Sequence, residues 1–245
     1  MLKPRITKII DEFFAIGGTH DLDKYKKIRD RLLEVLREED FLLGDQDDEN
    51  VVFVRDVIRY IDAISIYARE MNNRGVHRHI NPFFNRLKHS SNWHYYDLAL
   101  LVSSIQLTES IEQATQLASK AQGHVTLFKH ARNVDIVEGC LSLNMCARLL
   151  NAKYFDYRVE ISLTTEFDKW YKKLEELVKH NALLELPFLV TKIRQNVLNG
   201  SEQKVIEQLC DELVQHDKQI GDMLRNEVQF YFEREKMKKK RGETS

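Results

Sequence analysis

The chain has 245 residues, a formal net charge of −1 and 31 % charged residues. That balance excludes the strongly basic surface of a dedicated nucleic-acid binder over the whole chain, though not a local basic patch. Hydrophobic residues make up 43 %, enough for a sizeable core, while nine Gly and three Pro are few breakers beside many Leu, Glu, Lys and Arg, so an all-helical protein is expected.

Taken from the N-terminus, residues 3–16 predict an amphipathic helix with Ile6, Ile9, Ile10, Phe13 and Phe14 on one face, ended by Gly17-Gly18. Asp21 or Asp23 caps a second helix over 22–39, with Tyr25, Ile28, Leu32, Leu33 and Leu36 as its apolar line. Gly44 and the acids Asp45, Asp47, Asp48 and Glu49 read as a solvated loop, because their spacing is not that of a calcium loop. A third helix spans 50–71. Val51, Val54, Val57, Ile58 and Ile61 favour strand by residue type, but their helical recurrence decides against it. Residues 72–79 are expected to be a loop, followed by a short helix carrying Ile80, Phe83, Phe84 and Leu87.

The stretch 92–121 predicts two helices with a two-residue joint, large residues (Trp93, Tyr96 or Asp97, Leu100) facing small ones (Ala114 or Thr115, Ala118). Thr108 is the expected N-cap of the second, and Gln122-Gly123 its end. An apolar segment follows over 125–151, then an ambiguous stretch 152–163 and a helix 164–180. A helix 181–199 has Pro187 as a kink or in its first turn, and Asn199-Gly200 ends it. Ser201 is expected to cap the next helix, and a last helix covers 217–237. The domain reading is a helical hairpin over 1–50, a tetratricopeptide-like repeat domain over 51–236 and a basic flexible tail over 237–245. Any repeat is degenerate, because the period of about 34 residues that such repeats need is not visible.

Asn92-Trp93-His94-Tyr95-Tyr96-Asp97-Leu98, preceded by Pro82-Phe83-Phe84-Asn85-Arg86-Leu87, resembles the W-x-Y-Y-E-L segment of the Rgg/GadR/MutR transcriptional regulators. The order of elements over 50–235 is also similar. The resemblance implies hairpins stacked into a curved solenoid, a homodimer, and a concave face that binds a short peptide and so controls transcription. The family's N-terminal helix-turn-helix is not recognisable in residues 1–50, so DNA contact is expected only indirectly or through a further domain.

A peptide groove needs side chains that pair with extended backbone and carboxylates. Leu141, Asn144, Arg148 and Asn151 recur on one helical face. An Asn amide can both donate to and accept from a peptide, and an Arg can fork a carboxylate. Arg194 and Gln195 face the same concavity if hairpins stack, and Tyr96 or Phe188 could supply an apolar floor. The alternatives are a solvated Arg148, an Asn144 that caps a neighbouring helix, and aromatic residues that are simply core.

No nucleophile elbow, phosphate loop or paired catalytic carboxylates are evident, so no enzyme is expected. Asp135, Glu138 and a histidine meeting in a closed cavity would argue otherwise. His77, His79, His89 and His94 lack the spacing and partners of a metal site, so no cofactor or metal is expected either.

Three scattered cysteines, Cys140, Cys146 and Cys210, point to a reducing compartment. No apolar run approaches the roughly 18 residues of a membrane span. A cytoplasmic protein with a short peptide or a protein as partner is therefore expected. The rival is a protein-binding scaffold or antagonist with no small ligand, which a continuous apolar face would favour.

Overall fold

Apolar residues at helical spacing place eleven α-helices, and no strand, among the residues that the computed structural model describes: 4–16, 21–43, 48–70, 75–130, 133–155 and 162–240. The helices fall into two units, Met1–Glu109 and Ser110–Ser245. No helix among the described residues is long and apolar enough to cross a membrane.

The first unit holds α1 (Pro4–Ala15), α2 (Leu22–Leu43), α3 (Glu49–Glu70), α4 (Val76–His89) and α5 (Tyr95–Ser104), with a 3-10 turn at Ile105–Leu107. Ile6, Ile9, Ile10 and Phe13 bury one face of α1. Each such side chain contributes roughly 1.5–3 kcal/mol when fully buried. Phe13 joins three helices, its ring lying 6.0 Å from that of Tyr25 on α2 and 5.7 Å from that of Tyr60 on α3. Asp21 caps α2 by accepting from the Lys24 N–H at 3.2 Å. On α2, Val35 completes the buried line, while Leu33 and Leu36 are half-buried.

Arg86 of α4 locks this unit. It donates to Asp56 of α3 at 2.8 Å and to Asp97 of α5 at 2.6 Å. Arg59 adds a 2.8 Å contact to Asp56. Both carboxylates are buried. Burial raises the Asp56 pKa against the pull of Arg86 and Arg59. For Arg86 burial works to lower the pKa, but the pairs with Asp97 and Asp56 hold it above its ordinary value.

Several boundaries differ from expectation. Helix α4 begins at Val76, behind Gly75 at φ 84°, so His77 and His79 are helical rather than in a loop. Trp93 precedes α5 instead of belonging to it. Its indole N–H donates to the Leu87 carbonyl at 3.1 Å, and Asp97 accepts from the His94 N–H at 2.9 Å, which sets the helix start just after His94. Thr108 does not cap α6, because its hydroxyl is engaged with the Ile105 carbonyl at 2.8 Å. Ser110 caps instead, accepting from the Gln113 N–H at 3.2 Å. The boundary between the units thus lies inside the stretch read as one hairpin. Most of the acidic run at 44–49 lies outside the described residues.

The second unit holds α6 (Ile111–Val125), a 3-10 turn (Thr126–Phe128), α7 (Val134–Phe155), α8 (Leu163–Val178), a 3-10 turn (Ala182–Leu184), α9 (Glu185–Leu198), α10 (Gln203–His216) and α11 (Lys218–Lys240). Gly123 sits inside α6 and does not end it. Of the ambiguous stretch 152–163, residues up to Phe155 continue α7, and 156–161 lie outside the described residues. Pro187 is in the first turn of α9, where a missing N–H costs little. Gly200, at φ 71°, ends α9. The Ser201 N–H bonds the Asn196 carbonyl at 3.0 Å and the Gly200 N–H the Val197 carbonyl at 3.1 Å, a Schellman closure. Ser201 therefore does not cap α10; its hydroxyl meets Asn196 at 3.0 Å, and Glu202 holds the cap position. Helix α11 runs to Lys240, past the predicted 237.

Helix α7 is the centre of this unit and packs on α6, α8, α9 and α11. Leu141, Ser142, Met145, Cys146, Arg148, Leu149, Leu150 and Ala152 are all buried, over more than half of the helix circumference. Adjacent helices pack on one another throughout: α6 on α7, α7 on α8, α8 on α9, α9 on α10 and α10 on α11.

Two outcomes check this packing. Gly221→Ala is expected to cost about 1–3 kcal/mol in urea denaturation, since a Cβ there would sit 2.7 Å from the Val214 backbone. Gly123→Ala should instead stabilise by roughly 0.5–1 kcal/mol, as nothing lies within 4 Å. In the first unit, Arg86→Met leaves two buried carboxylates short of a partner and should cost about 3–5 kcal/mol by the same measurement.

Candidate functional site

The residues singled out in the sequence lie on α7 (Asn144, Arg148, Asn151) and α9 (Arg194, Gln195), two helices that pack together. Arg194 is 9 % exposed. Its guanidinium forks Glu227 of α11, with Nε 3.0 Å from Oε1 and Nη2 2.9 Å from Oε2. Burial works to lower the Arg194 pKa, but the charge and hydrogen bonds of Glu227 hold it above its ordinary value. The Tyr231 hydroxyl donates to the Asn151 side-chain carbonyl. Glu227 and Tyr231 are four residues apart on α11, hence on one face. One face of α11 thereby meets both α9 and α7.

The other members stand apart from that pair of contacts. Gln195 donates to Asp168 of α8 at 3.2 Å. Arg148 is buried, 6 % exposed, while Asn144 is half-buried and Leu141 is wholly in the core. Lys153, one turn below Arg148 on α7, donates to the Leu198 carbonyl at 2.8 Å and so caps the end of α9. Cys146 lies beside this cluster, and burial pushes its thiol well above the usual range, which keeps it protonated and unreactive.

The expected apolar floor divides between the units. Tyr96 is in the first, stacked 6.0 Å from Phe14 and tilted 5.7 Å from Phe53, with its hydroxyl donating to Asp11 at 3.4 Å. It lines an open groove of about 750 Å³ along α1, beside Lys8 and Asp11. Phe188 is in the second unit, 5.4 Å from Tyr171.

The arrangement holds the Glu227 carboxylate on Arg194 and the Tyr231 hydroxyl on Asn151. Glu138 pairs with Lys173 at 3.0 Å, and Asp135 is exposed. Among the described residues no group of three or more His, Cys, Asp or Glu is placed to hold a metal ion. Glu227, Tyr231 and Asp168 were not singled out in the sequence. Their only local signal is the four-residue spacing of Glu227 and Tyr231, because their partners lie 33 and 80 residues away.

No protein-family model matches the sequence, and no curated protein matches it either.

The Arg194–Glu227 contact should behave as a buried pair. Arg194→Met or Glu227→Leu alone is expected to cost about 3–5 kcal/mol, because each strands the other charge. The double variant should cost well below the sum of the two, and a double-mutant cycle by urea denaturation checks this.

Proposed function

We propose that the chain is a non-enzymatic regulatory sensor, a tetratricopeptide-like helical repeat that binds a short peptide and controls transcription through a homodimer in the cytoplasm. DNA contact would be indirect or through another domain. The Trp93–Leu98 segment, with its resemblance to the Rgg/GadR/MutR regulators, supports the regulatory part of this reading. The sequential packing of helices supports the repeat part.

A single observation carries the ligand. Arg194 and Asn151, on neighbouring helices, hold a carboxylate and a hydroxyl offered by one face of a helix. Those are groups that a peptide also presents, and a forked Arg–carboxylate pair is a strong and directional contact. Arg148, one turn from Asn151 on α7 and 6 % exposed, would add a second cation only for a ligand that reaches into the core beside it.

A second reading, a scaffold or antagonist that binds another protein, has its own observation. Met223, Phe230 and Met237 recur every seven residues on α11 and are 46 %, 47 % and 58 % exposed. Such a stripe suits an apolar partner surface.

Native mass spectrometry of the protein from a cytosolic extract of its source tests the two. A dimer carrying a peptide-sized mass supports the sensor. Arg148→Ala should then lower occupancy about tenfold, as expected for loss of one hydrogen bond to a charged group. A bare monomer, or one carrying only a larger protein that Phe230→Glu releases, supports the scaffold and sinks the peptide reading.

A further inference from the structure

Helices α10 and α11 pack more on each other than on the rest of the unit, which they meet through α10 on α9 and α11 on α9 and α7. Gly221 lets α11 approach the Val214 backbone so closely that a Cβ would meet it at 2.7 Å. Asp217 caps α11 by accepting from the Ile220 N–H at 2.9 Å, and Arg225 of α11 pairs with Asp211 of α10.

The link from this hairpin to α9 is the Asn199-Gly200-Ser201 turn. Gly200 has φ 71°, nothing lies within 4 Å of the place where its Cβ would be, and the turn is held by two backbone bonds, from the Gly200 and Ser201 N–H groups, that rotation would have to break. Hinges are built from a few such element-terminal positions. Across from the hinge, the hairpin is tied to the rest of the unit by polar groups, Glu227 to Arg194 and Tyr231 to Asn151. Ile206, Cys210 and Leu213 of α10 and Leu224, Val228 and Tyr231 of α11 are also buried, and opening would disturb those of them that face α9 and α7.

We propose that the α10–α11 hairpin is a strap hinged at Gly200 and latched by Glu227 and Tyr231, which sit where a ligand carboxylate and hydroxyl would sit on Arg194 and Asn151. A ligand that brings its own carboxylate to Arg194 competes with Glu227 and shifts the strap open, because it binds the open form alone. The identity of that ligand as a peptide rests on the function proposed above; the hinge and latch do not.

Pulsed electron paramagnetic resonance distances test the strap in the full chain. Spin labels are placed through Lys192→Cys on α9 and Gln229→Cys on α11, both exposed positions, with Cys140→Ala to remove the half-buried thiol. The parent should give one short-distance population. Glu227→Gln and Tyr231→Phe should each add a longer-distance population with unchanged helicity, larger by about tenfold for Glu227→Gln, which loses the charge of its pair. Sodium acetate exchanged for chloride at constant ionic strength should raise the same population in the parent.

If both variants keep the parent distribution, or if distance and helicity change together, the strap is overturned. Tyr231→Phe, which removes a single hydroxyl, decides the matter if Glu227→Gln does not fold. An acetate series without effect overturns the competition between carboxylates. No peptide enters these measurements, so a ligand-free mass spectrum would sink the sensor reading and leave the strap standing.

Discussion

Helix α7 is buried over most of its circumference, with Asn144 and Asn151 on its half-buried side, and the second unit is built around that constraint. A polar group on the enclosed part of such a helix must be met by a partner or be left stranded at a cost of about 1–3 kcal/mol. Asn151 is met by Tyr231 of α11, Lys153 meets the Leu198 carbonyl of α9 at 2.8 Å, and the Ser142 hydroxyl is satisfied within α7 by the Glu138 carbonyl at 3.1 Å. The surrounding helices are therefore held in register by polar contacts as well as by apolar area. Each such contact has one good geometry, whereas apolar packing tolerates sliding.

Each unit uses an arginine in this way. Arg86 ties α4 to α3 and α5 through Asp56 and Asp97, and Arg194 ties α9 to α11 through Glu227. Buried pairs of this kind add little net stability over a well-packed apolar substitute, yet breaking one is costly. They act more as a penalty on wrong arrangements than as glue. The two differ in what they join. Arg86 links three helices of one packed bundle, with Trp93 anchoring the approach to α5. Arg194 reaches a hairpin that follows a glycine turn and packs on α9 and α7 as well as on itself. The same chemistry reads as a lock in the first case and as a latch in the second.

The polar face of α7 and α9 was legible in the sequence because Asn144, Arg148 and Asn151 recur at helical spacing, and Arg194 and Gln195 sit on the next apolar helix but one. What those side chains meet was not legible. Glu227 and Tyr231 look like ordinary members of a charged terminal helix, and nothing local distinguishes them from Glu233 or Tyr171. Burial of Arg148 was similarly hidden, since an arginine on a long apolar helix is as compatible with a solvated edge as with an enclosed one.

Taken alone, the sequence determined that the described chain is helical, where its long helices lie, and that Gly200 ends α9, because periodicity and a left-handed glycine act within a few residues. It also carried the capping chemistry in outline, but misassigned Thr108 and Ser201, whose hydroxyls turn to nearby carbonyl oxygens instead of to helix N–H groups. Only the tertiary structure decided that Trp93 stands outside α5, that Gly123 lies within α6, and that the unit boundary falls at Glu109. It also decided that Arg194 and Asn151 are filled by the chain's own α11. The filling of Arg194 and Asn151 depends on groups brought together from positions 33 and 80 residues apart, and no local pattern encodes which distant group arrives.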